Sequence, residues 1–261
     1  MNLPQELREM IKVQPYSVDR VGMSESKVLI FQDKVLKIQP ETVETQTECM
    51  MMNWLSDKLP VPAVLFHTVE NGINYLLMSR IQGKMSCDDE YMQDPKLLTN
   101  LLAESLKQLW KIDISYCPAC WELQNKLAVA RAAVESGNID MEDAEPETYG
   151  ENGFHNPEEL LNWLYDNRPE EDLVLSHGDF CLPNVFLKEN RLSGFIDLGR
   201  TGTADRWQDI ALCYRSLKHN YSGKYSGKTY DGFDPDYLFE ALGIEPDWRK
   251  IKYYILLDEL F

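Results

Sequence analysis

Residues 175–184 read Leu-Ser-His-Gly-Asp-Phe-Cys-Leu-Pro-Asn, and residues 194–200 read Gly-Phe-Ile-Asp-Leu-Gly-Arg. These stretches place the Asp179 carboxylate five residues before the Asn184 amide, and a second carboxylate, Asp197, thirteen residues after that amide. Phosphoryl transfer uses such groups, because one acid orients an attacking hydroxyl while an amide and another acid hold Mg²⁺ on nucleotide phosphates. Mg²⁺ favours oxygen ligands and takes only one or two carboxylates from a protein. We therefore interpret Asp179 as the catalytic base, and Asn184 and Asp197 as metal ligands.

The spacing from Asp179 to Asn184 is typical of the catalytic loop of kinases, with His177-Gly-Asp where protein kinases carry His-Arg-Asp. We expect His177 to support this loop through hydrogen bonds and Asp209 to be a buried acid that caps it. In protein kinases a long activation segment ending in Ala-Pro-Glu follows the second metal-binding acid. Here a predicted helix begins within about ten residues of Asp197, and Ala-Pro-Glu does not follow. We therefore expect a small hydroxylated substrate rather than a polypeptide.

The composition of the 261-residue chain is that of a globular protein, with 44% hydrophobic and 26% charged residues. It has 26 basic and 43 acidic side chains, a formal net charge of −17, which repels nucleic acids and anionic membranes and attracts polycations. We expect no nucleic acid, no membrane and no obligate protein partner. The sequence has no apolar run of membrane-spanning length and begins without an apolar secretory core, so we expect a soluble, cytoplasmic protein. The six cysteines predict no disulfide framework.

Hydrophobic periodicity and turn residues divide the chain into a small β-rich part and a larger helical part. Two predicted hairpins flank one helix, with strands at 28–31, 35–38, 63–69 and 73–78 and the helix at 43–59. Beyond a crossover at 80–84, helices are predicted near 95–111, 121–136, 157–167, 207–218, 235–242 and 247–259. The predicted class is α+β, a bilobal protein-kinase-like fold. Residues 1–80 would form a small β-rich N-lobe with one main helix, and residues 81–261 a larger, mostly helical C-lobe.

Candidate nucleotide-binding residues lie in the first eighty residues. Lys37 ends a predicted strand, where its ammonium could reach phosphates, and Glu48 in the next helix is its natural partner. A surface lysine and a solvated glutamate would explain the same two residues. The loop before the first hairpin contains Ser24 and could offer backbone N–H groups to phosphate oxygens. At the crossover, Met78 and Ile81 are the candidates for binding the adenine ring.

Motifs along nearly the whole chain resemble those of the aminoglycoside 3′-phosphotransferases, the kanamycin and neomycin kinases of antibiotic resistance. These motifs are KLPVP at 58–62, LLMS at 76–79, SHGD at 176–179, CLPN at 181–184, GFIDLGR at 194–200 and KYYILLDELF at 252–261. The resemblance implies phosphorylation of the 3′-hydroxyl of aminoglycosides with ATP and Mg²⁺, and it leaves the choice between ATP and GTP open. It also implies that Asp179 is the base, that Asn184 and Asp197 bind Mg²⁺, and that Lys37 with Glu48 fixes ATP.

The same resemblance implies which residues face the antibiotic, namely Arg200, Glu259 and the terminal carboxylate of Phe261. Aminoglycosides are polycations, and an acidic groove would steer and orient them. Residues 140–151 contain six acids and no Lys or Arg, and Glu147 is our candidate contact among them. A solvated, mobile loop would explain these acids as well.

Residues 218–220 read Lys-His-Asn where related enzymes could carry another acid, and the loop that follows to Phe233 is longer than expected. This departure leaves the substrate spectrum and the role of the loop open. A kinase of the same fold acting on another antibiotic or on a metabolite such as choline is an alternative. A pseudokinase that only binds is a further one, but it predicts the loss of a catalytic residue. The four residues at stake, Lys37, Asp179, Asn184 and Asp197, are all present.

Overall fold

The computed structural model describes residues 3–12, 14–18, 26–137, 139–141 and 144–261. Within these ranges the helices are α1 (Gln5–Met10), α2 (Val43–Leu55), α3 (Asp89–Met92), α4 (Pro95–Trp110), α5 (Leu123–Ser136), α6 (Pro157–Asp166), α7 (Arg206–Ser222), α8 (Asp236–Leu242) and α9 (Trp248–Asp258). The strands are β1 (Ser17–Val18), β2 (Lys27–Ile30), β3 (Lys34–Pro40), β4 (Val64–Glu70), β5 (Ile73–Ser79), β6 (Lys84–Met85), β7 (Leu173–Ser176), β8 (Val185–Lys188), β9 (Arg191–Phe195) and β10 (Gly202–Asp205). Short 3₁₀ turns occur at Leu182–Asn184 and Leu198–Arg200.

The chain forms two compact units, and each is described by itself. Unit 1 consists of Met1–Met85 and Asn184–Arg200, and unit 2 of Ser86–Pro183 and Thr201–Phe261. Unit 1 is rich in strands and unit 2 in helices, which confirms the predicted α+β class. The predicted lobes, 1–80 and 81–261, remain a prediction about domains. The units differ from them mainly at residues 184–200, because β8 pairs with β6 and the N–H of Phe195 donates to the carbonyl of Pro60 at 3.0 Å.

Unit 1 contains an antiparallel sheet with strand order β1-β2-β3-β5-β4. One face buries an apolar cluster that includes Leu29 on β2, Leu36 on β3 and Leu77 on β5. Helix α2 follows β3 and begins at Thr42, whose side chain accepts from the N–H of Thr45 at 3.3 Å while the Thr45 side chain accepts from the N–H of Thr42 at 3.0 Å. This reciprocal capping satisfies two backbone donors and fixes where the helix starts.

The β8–β9 hairpin brings two distant parts of the sequence motif together within unit 1. Its two-residue turn has positive φ angles at Glu189 (53°) and Asn190 (55°), as a tight hairpin turn requires. Antiparallel pairing then sets Val185 opposite Phe195. Asn184 precedes β8 and Asp197 follows β9 by two residues, so the hairpin places both side chains at its open end.

Unit 2 is built mainly from helices, with β7 and β10 forming an antiparallel ribbon. Asp205 ends β10 and caps α7, accepting from the N–H of Trp207 at 3.2 Å. The same buried carboxylate accepts from Lys250 Nζ at 2.9 Å and from the Tyr254 hydroxyl at 2.8 Å, both on α9. One acid thus joins the ribbon to two helices. Among the described residues, the helices are all too short or too polar to cross a membrane.

The unit 1 sheet provides a matched pair of leucine substitutions. Leu36 is 0% exposed, whereas Leu65 on β4 is 43% exposed. Leu36→Ala should lower the free energy of unfolding by about 2–5 kcal/mol, because it removes buried surface and leaves a cavity. Leu65→Ala should cost less than about 1 kcal/mol in the same urea titration. Equal losses for the two variants would contradict the assignment of the buried face.

Candidate active site

The buried Asp209 carboxylate in unit 2 binds the loop that carries Asp179. Its Oδ1 accepts from the Ser176 hydroxyl at 3.0 Å and from the N–H of Gly178 at 3.0 Å, and its Oδ2 accepts from the N–H of His177 at 2.8 Å. Burial raises the pKa of Asp209, and the hydrogen bonds that it accepts from His177, Gly178 and Ser176 oppose that shift. Asp209 is therefore the buried cap of the loop that the sequence predicts.

Further hydrogen bonds fix the backbone on either side of Asp179. Thr201 Oγ1 donates to the carbonyl of His177 at 2.8 Å, and Gln208 Nε2 donates to the carbonyl of Gly178 at 2.7 Å. The N–H of Asp179 donates to Nδ1 of His177 at 3.3 Å, so His177 supports the loop from within, as expected. Gly178 has a φ of 86°, a conformation that side chains disfavour. Thr201 and Gln208 were not identified from the sequence, because nothing in its local pattern marks their partners.

In unit 1 the Lys37 ammonium lies between two carboxylates. Its Nζ donates to Glu48 Oε1 at 2.8 Å, to Glu48 Oε2 at 2.9 Å and to Asp197 Oδ1 at 3.0 Å. The exposed fractions of the three side chains are 14% for Lys37, 3% for Glu48 and 54% for Asp197. The predicted Lys37–Glu48 pair is thus formed, and these residues are not a surface lysine and a solvated glutamate.

The charges in this group act on each other. Burial by itself lowers the pKa of Lys37, but the carboxylates of Glu48 and Asp197 outweigh it, so the net pKa is raised and the ammonium stays charged. Burial raises the pKa of Glu48, and the Lys37 ammonium opposes that shift. Lys37 therefore presents a fixed positive charge beside the exposed Asp197 carboxylate.

The two predicted metal ligands lie next to each other in unit 1. The N–H of Ile196 donates to the backbone carbonyl of Asn184 at 3.0 Å, which holds the residue before Asp197 against Asn184. Asp197 has a φ of 61°, a costly conformation for a residue with a side chain and one often found at functional sites. An amide oxygen and a carboxylate suit Mg²⁺. No group of three or more His, Cys, Asp and Glu able to hold a metal occurs among the described residues, so an ion bound here would take further ligands from phosphates and water.

The other predicted nucleotide-binding residues belong to unit 1 as well. Met78 is buried on β5, between β3 and β4 in the sheet. Ile81 follows β5 and is partly exposed, and a Cβ at Gly194 would lie 2.8 Å from its Cδ1 atom. Glycine at position 194 thus allows the hairpin to approach Ile81 closely. Ser24 lies outside the described residues.

Glu259 in unit 2, a predicted substrate contact, is part of a charged network. Its side chain is 5% exposed, and its Oε1 lies 3.6 Å from Arg215 Nη1. Its Oε2 accepts from the N–H of Glu145 at 3.2 Å, and Arg215 also binds Asp258. Burial raises the pKa of Glu259 to about 7, although the Arg215 charge opposes the shift. Arg215 and Glu145 were not singled out as partners of Glu259 from the sequence.

The three remaining predicted substrate contacts are divided between the two units. Phe261 is partly buried in unit 2, with the Lys126 ammonium 5.5 Å from its ring centre, and Glu147 is exposed on a turn of the same unit. Arg200 ends the 3₁₀ turn after Asp197 in unit 1. Their roles remain predictions.

Asp209→Asn tests the loop network, because the new amide turns one acceptor into a donor that faces N–H and O–H donors. The free energy of unfolding should fall by about 1–3 kcal/mol. Amide exchange should also become faster at His177 and Gly178. Asp94→Asn is the matched control: Asp94 caps α4 by accepting from the N–H of Leu97, and asparagine caps equally well. Unchanged exchange in Asp209→Asn would contradict the role of this carboxylate.

Comparisons with known proteins agree with the fold. Residues 19–254 match the model of the phosphotransferase enzyme family. An aminoglycoside 3′-phosphotransferase of Enterococcus faecalis is 39% identical, covering 100% of this chain and 99% of the relative. The crystal structure of an aminoglycoside-3′-phosphotransferase of type VIII is 27% identical with a TM-score of 0.81, covering 98% and 97% of the two chains.

An aminoglycoside phosphotransferase from Streptomyces rimosus, solved in complex with ADP and streptomycin, has a TM-score of 0.80. It is 23% identical, with 97% and 95% of the two chains covered, and this likeness concerns the fold alone. The predicted protein-kinase-like fold is confirmed. The chain belongs to the phosphotransferase enzyme family.

Proposed function

We propose that this enzyme transfers the γ-phosphoryl group of ATP to the 3′-hydroxyl of aminoglycosides and thereby confers resistance to them. The observation that carries the proposal is the Lys37 ammonium, bonded to Glu48 at 2.8 Å and to Asp197 at 3.0 Å. A lysine held in this way presents a fixed charge to nucleotide phosphates. The E. faecalis relative, 39% identical over the whole chain, is named for transfer to the 3′ position.

The nucleotide would be held by unit 1. Lys37 would bind phosphate oxygens, while Glu48 keeps its side chain extended. Ser24, in the loop proposed to cover the phosphates, is a proposed phosphate contact. Met78 and Ile81 are the proposed contacts of the adenine ring. The S. rimosus enzyme, which shares the fold, was solved with ADP, and we propose an adenine nucleotide for this chain as well. Bound to Asn184 and Asp197, Mg²⁺ would neutralise charge on the phosphates.

Asp179 would act on the acceptor hydroxyl. Its carboxylate orients the 3′-hydroxyl and accepts its proton as the oxygen forms a bond to the γ-phosphorus. The bond between that phosphorus and the oxygen bridging to the β-phosphate breaks, and ADP leaves. The hydrogen bonds accepted by Asp209 and donated by Thr201 and Gln208 hold the backbone around Asp179, so little reorganisation is needed during the reaction.

The acceptor would be a polycation, since the chain carries a net charge of −17. Glu147, Glu259 and the terminal carboxylate of Phe261 are the proposed contacts for its ammonium groups, and Arg200 is a further proposed contact. A phosphate on the 3′-oxygen adds negative charge and removes a hydroxyl, so the product should bind anionic RNA more weakly.

Kanamycin and 3′-deoxykanamycin form a matched pair of acceptors that tests this function. With ATP and Mg²⁺, the wild-type enzyme should phosphorylate kanamycin and leave the 3′-deoxy compound unchanged, as measured by mass spectrometry of the product. Asp179→Asn should lower kcat by about 10²–10⁴-fold, because the proton acceptor is lost, and should retain its folded structure.

Each possible failure identifies a different error. A phosphorylated 3′-deoxy compound would refute the regiochemistry, and an undiminished kcat in Asp179→Asn would refute the base. Phosphorylation of choline in place of kanamycin would favour a metabolite kinase.

A further inference from the structure

Two basic side chains, one at the C-terminal end of α7 and one in the loop after it, contact one acid of the 140–151 segment. His219 Nε2 lies 3.0 Å from Glu145 Oε1, and Lys224 Nζ donates to the same oxygen at 3.0 Å. The exposed fraction is 26% for the Glu145 side chain and 37% for Lys224. This pairing involves the loop after α7 that departs from the expected pattern.

The loop is held in place by its own backbone. Gly223 ends α7 with a φ of 79°, and the N–H of Lys224 donates to the carbonyl of His219 at 3.0 Å. The rings of Tyr221 and Phe233 stack at 4.5 Å, which closes the base of the loop. Lys224 therefore approaches Glu145 from a defined turn rather than from a free end.

His219 and Lys224 contribute differently to the charge at Glu145. Burial, together with the charges of Lys224 and Arg215, lowers the pKa of His219, and Glu145 opposes this shift only in part. A neutral imidazole can donate through Nε2 to Glu145 and accept from the Tyr225 hydroxyl, 2.9 Å from Nδ1. Lys224 is then the cation that binds Glu145 directly. Burial alone would raise the pKa of Glu145, but the hydrogen bond from Lys224 and nearby positive charges lower it, so the acid is ionised.

Glu145 is also connected to the proposed substrate contacts. Its N–H donates to Glu259, which lies beside Arg215. A substrate ammonium drawn to this acidic region would meet a carboxylate already bound to a lysine of the enzyme. Two cations cannot both form a short, direct ion pair with the same oxygen without repelling each other.

We propose that Lys224 determines aminoglycoside specificity by occupying Glu145 in competition with an amino group of the substrate. This inference rests on the proposed function and assigns a role to the loop of residues 219–233. Aminoglycosides with an amino group directed at Glu145 must displace Lys224, whereas those without one bind with the Lys224–Glu145 pair intact. An exposed ion pair contributes little free energy, so competition from Lys224 should change the affinity for the aminoglycoside about two- to fivefold.

Lys224→Gln and a matched control from the same loop test this role. Lys228 also carries one positive charge, but it pairs with Asp89 at 2.6 Å instead of with Glu145. Lys224→Gln should lower both the KM and the calorimetric dissociation constant for kanamycin about two- to fivefold, with the change in KM rather than in kcat. Lys228→Gln should leave both constants within experimental error.

A double-mutant cycle separates competition at Glu145 from a general change in charge. In a Glu145→Gln background the competing site is gone, so adding Lys224→Gln should no longer improve affinity. Equal gains from Lys224→Gln and Lys228→Gln would overturn the proposal in favour of long-range electrostatics. A higher dissociation constant in Lys224→Gln would overturn it too, since Lys224 would then be positioning Glu145 for the substrate.

Measurements of turnover and of binding test the proposed function and the role of Lys224 independently. If the wild-type enzyme binds kanamycin but forms no phosphorylated product, the proposed function fails, while the dissociation constants of the variants still decide the role of Lys224. If the product forms but Lys224→Gln binds kanamycin as the wild-type enzyme does, only the role of Lys224 fails. Absence of kanamycin binding to the wild-type enzyme would refute both.

Discussion

The Lys37 ammonium joins the three parts of unit 1 on which its chemistry depends. Lys37 comes from β3, Glu48 from α2, and Asp197 from the segment after β9. A charge removed from water is costly unless it is paired and hydrogen-bonded, so a sequence with these residues favours the fold that brings them together. The capped start of α2 and the tight β8–β9 hairpin are the local features that bring Glu48 and Asp197 to Lys37.

Unit 2 uses the opposite arrangement around Asp179. There the buried Asp209 carboxylate accepts hydrogen bonds from the loop. Thr201 and Gln208 donate hydrogen bonds to the backbone carbonyl groups of the same loop. Satisfied polar networks of this kind specify one backbone conformation, because an unpaired buried group would be destabilising. In unit 1 a charge is presented for a ligand, whereas in unit 2 a buried charge fixes the backbone that presents Asp179.

The sequence alone proposes those site residues whose spacing is set by chemistry. Asp179, Asn184 and Asp197 are recognisable because a short loop and a hairpin fix their separation in the chain. The two hairpins and α2 were also predicted, since hydrophobic periodicity and turn residues are local signals. Lys37 and Glu48 could be paired from the sequence only because the downstream motif indicated a kinase.

Contacts between residues that are far apart in the sequence could not be predicted from such local signals. The sequence shows acids in residues 140–151, but not that Glu145 faces Lys224, which is 79 positions away. It likewise does not show that residues 184–200 join unit 1, because that follows from strand pairing with β6. Side-chain partners depend on tertiary packing, which short-range patterns do not encode.

A double-mutant cycle on Lys37 and Glu48 tests the central claim most directly, with kcat/KM for ATP as the measured quantity. If Glu48 acts by holding the Lys37 ammonium, Lys37→Met should lower kcat/KM at least about tenfold, and adding Glu48→Gln should lower it little further. Lys34→Met on the same strand, where Lys34 lies 3.6 Å from the exposed Asp33, should leave kcat/KM near the wild-type value. Independent, multiplying losses from Lys37→Met and Glu48→Gln would contradict the account.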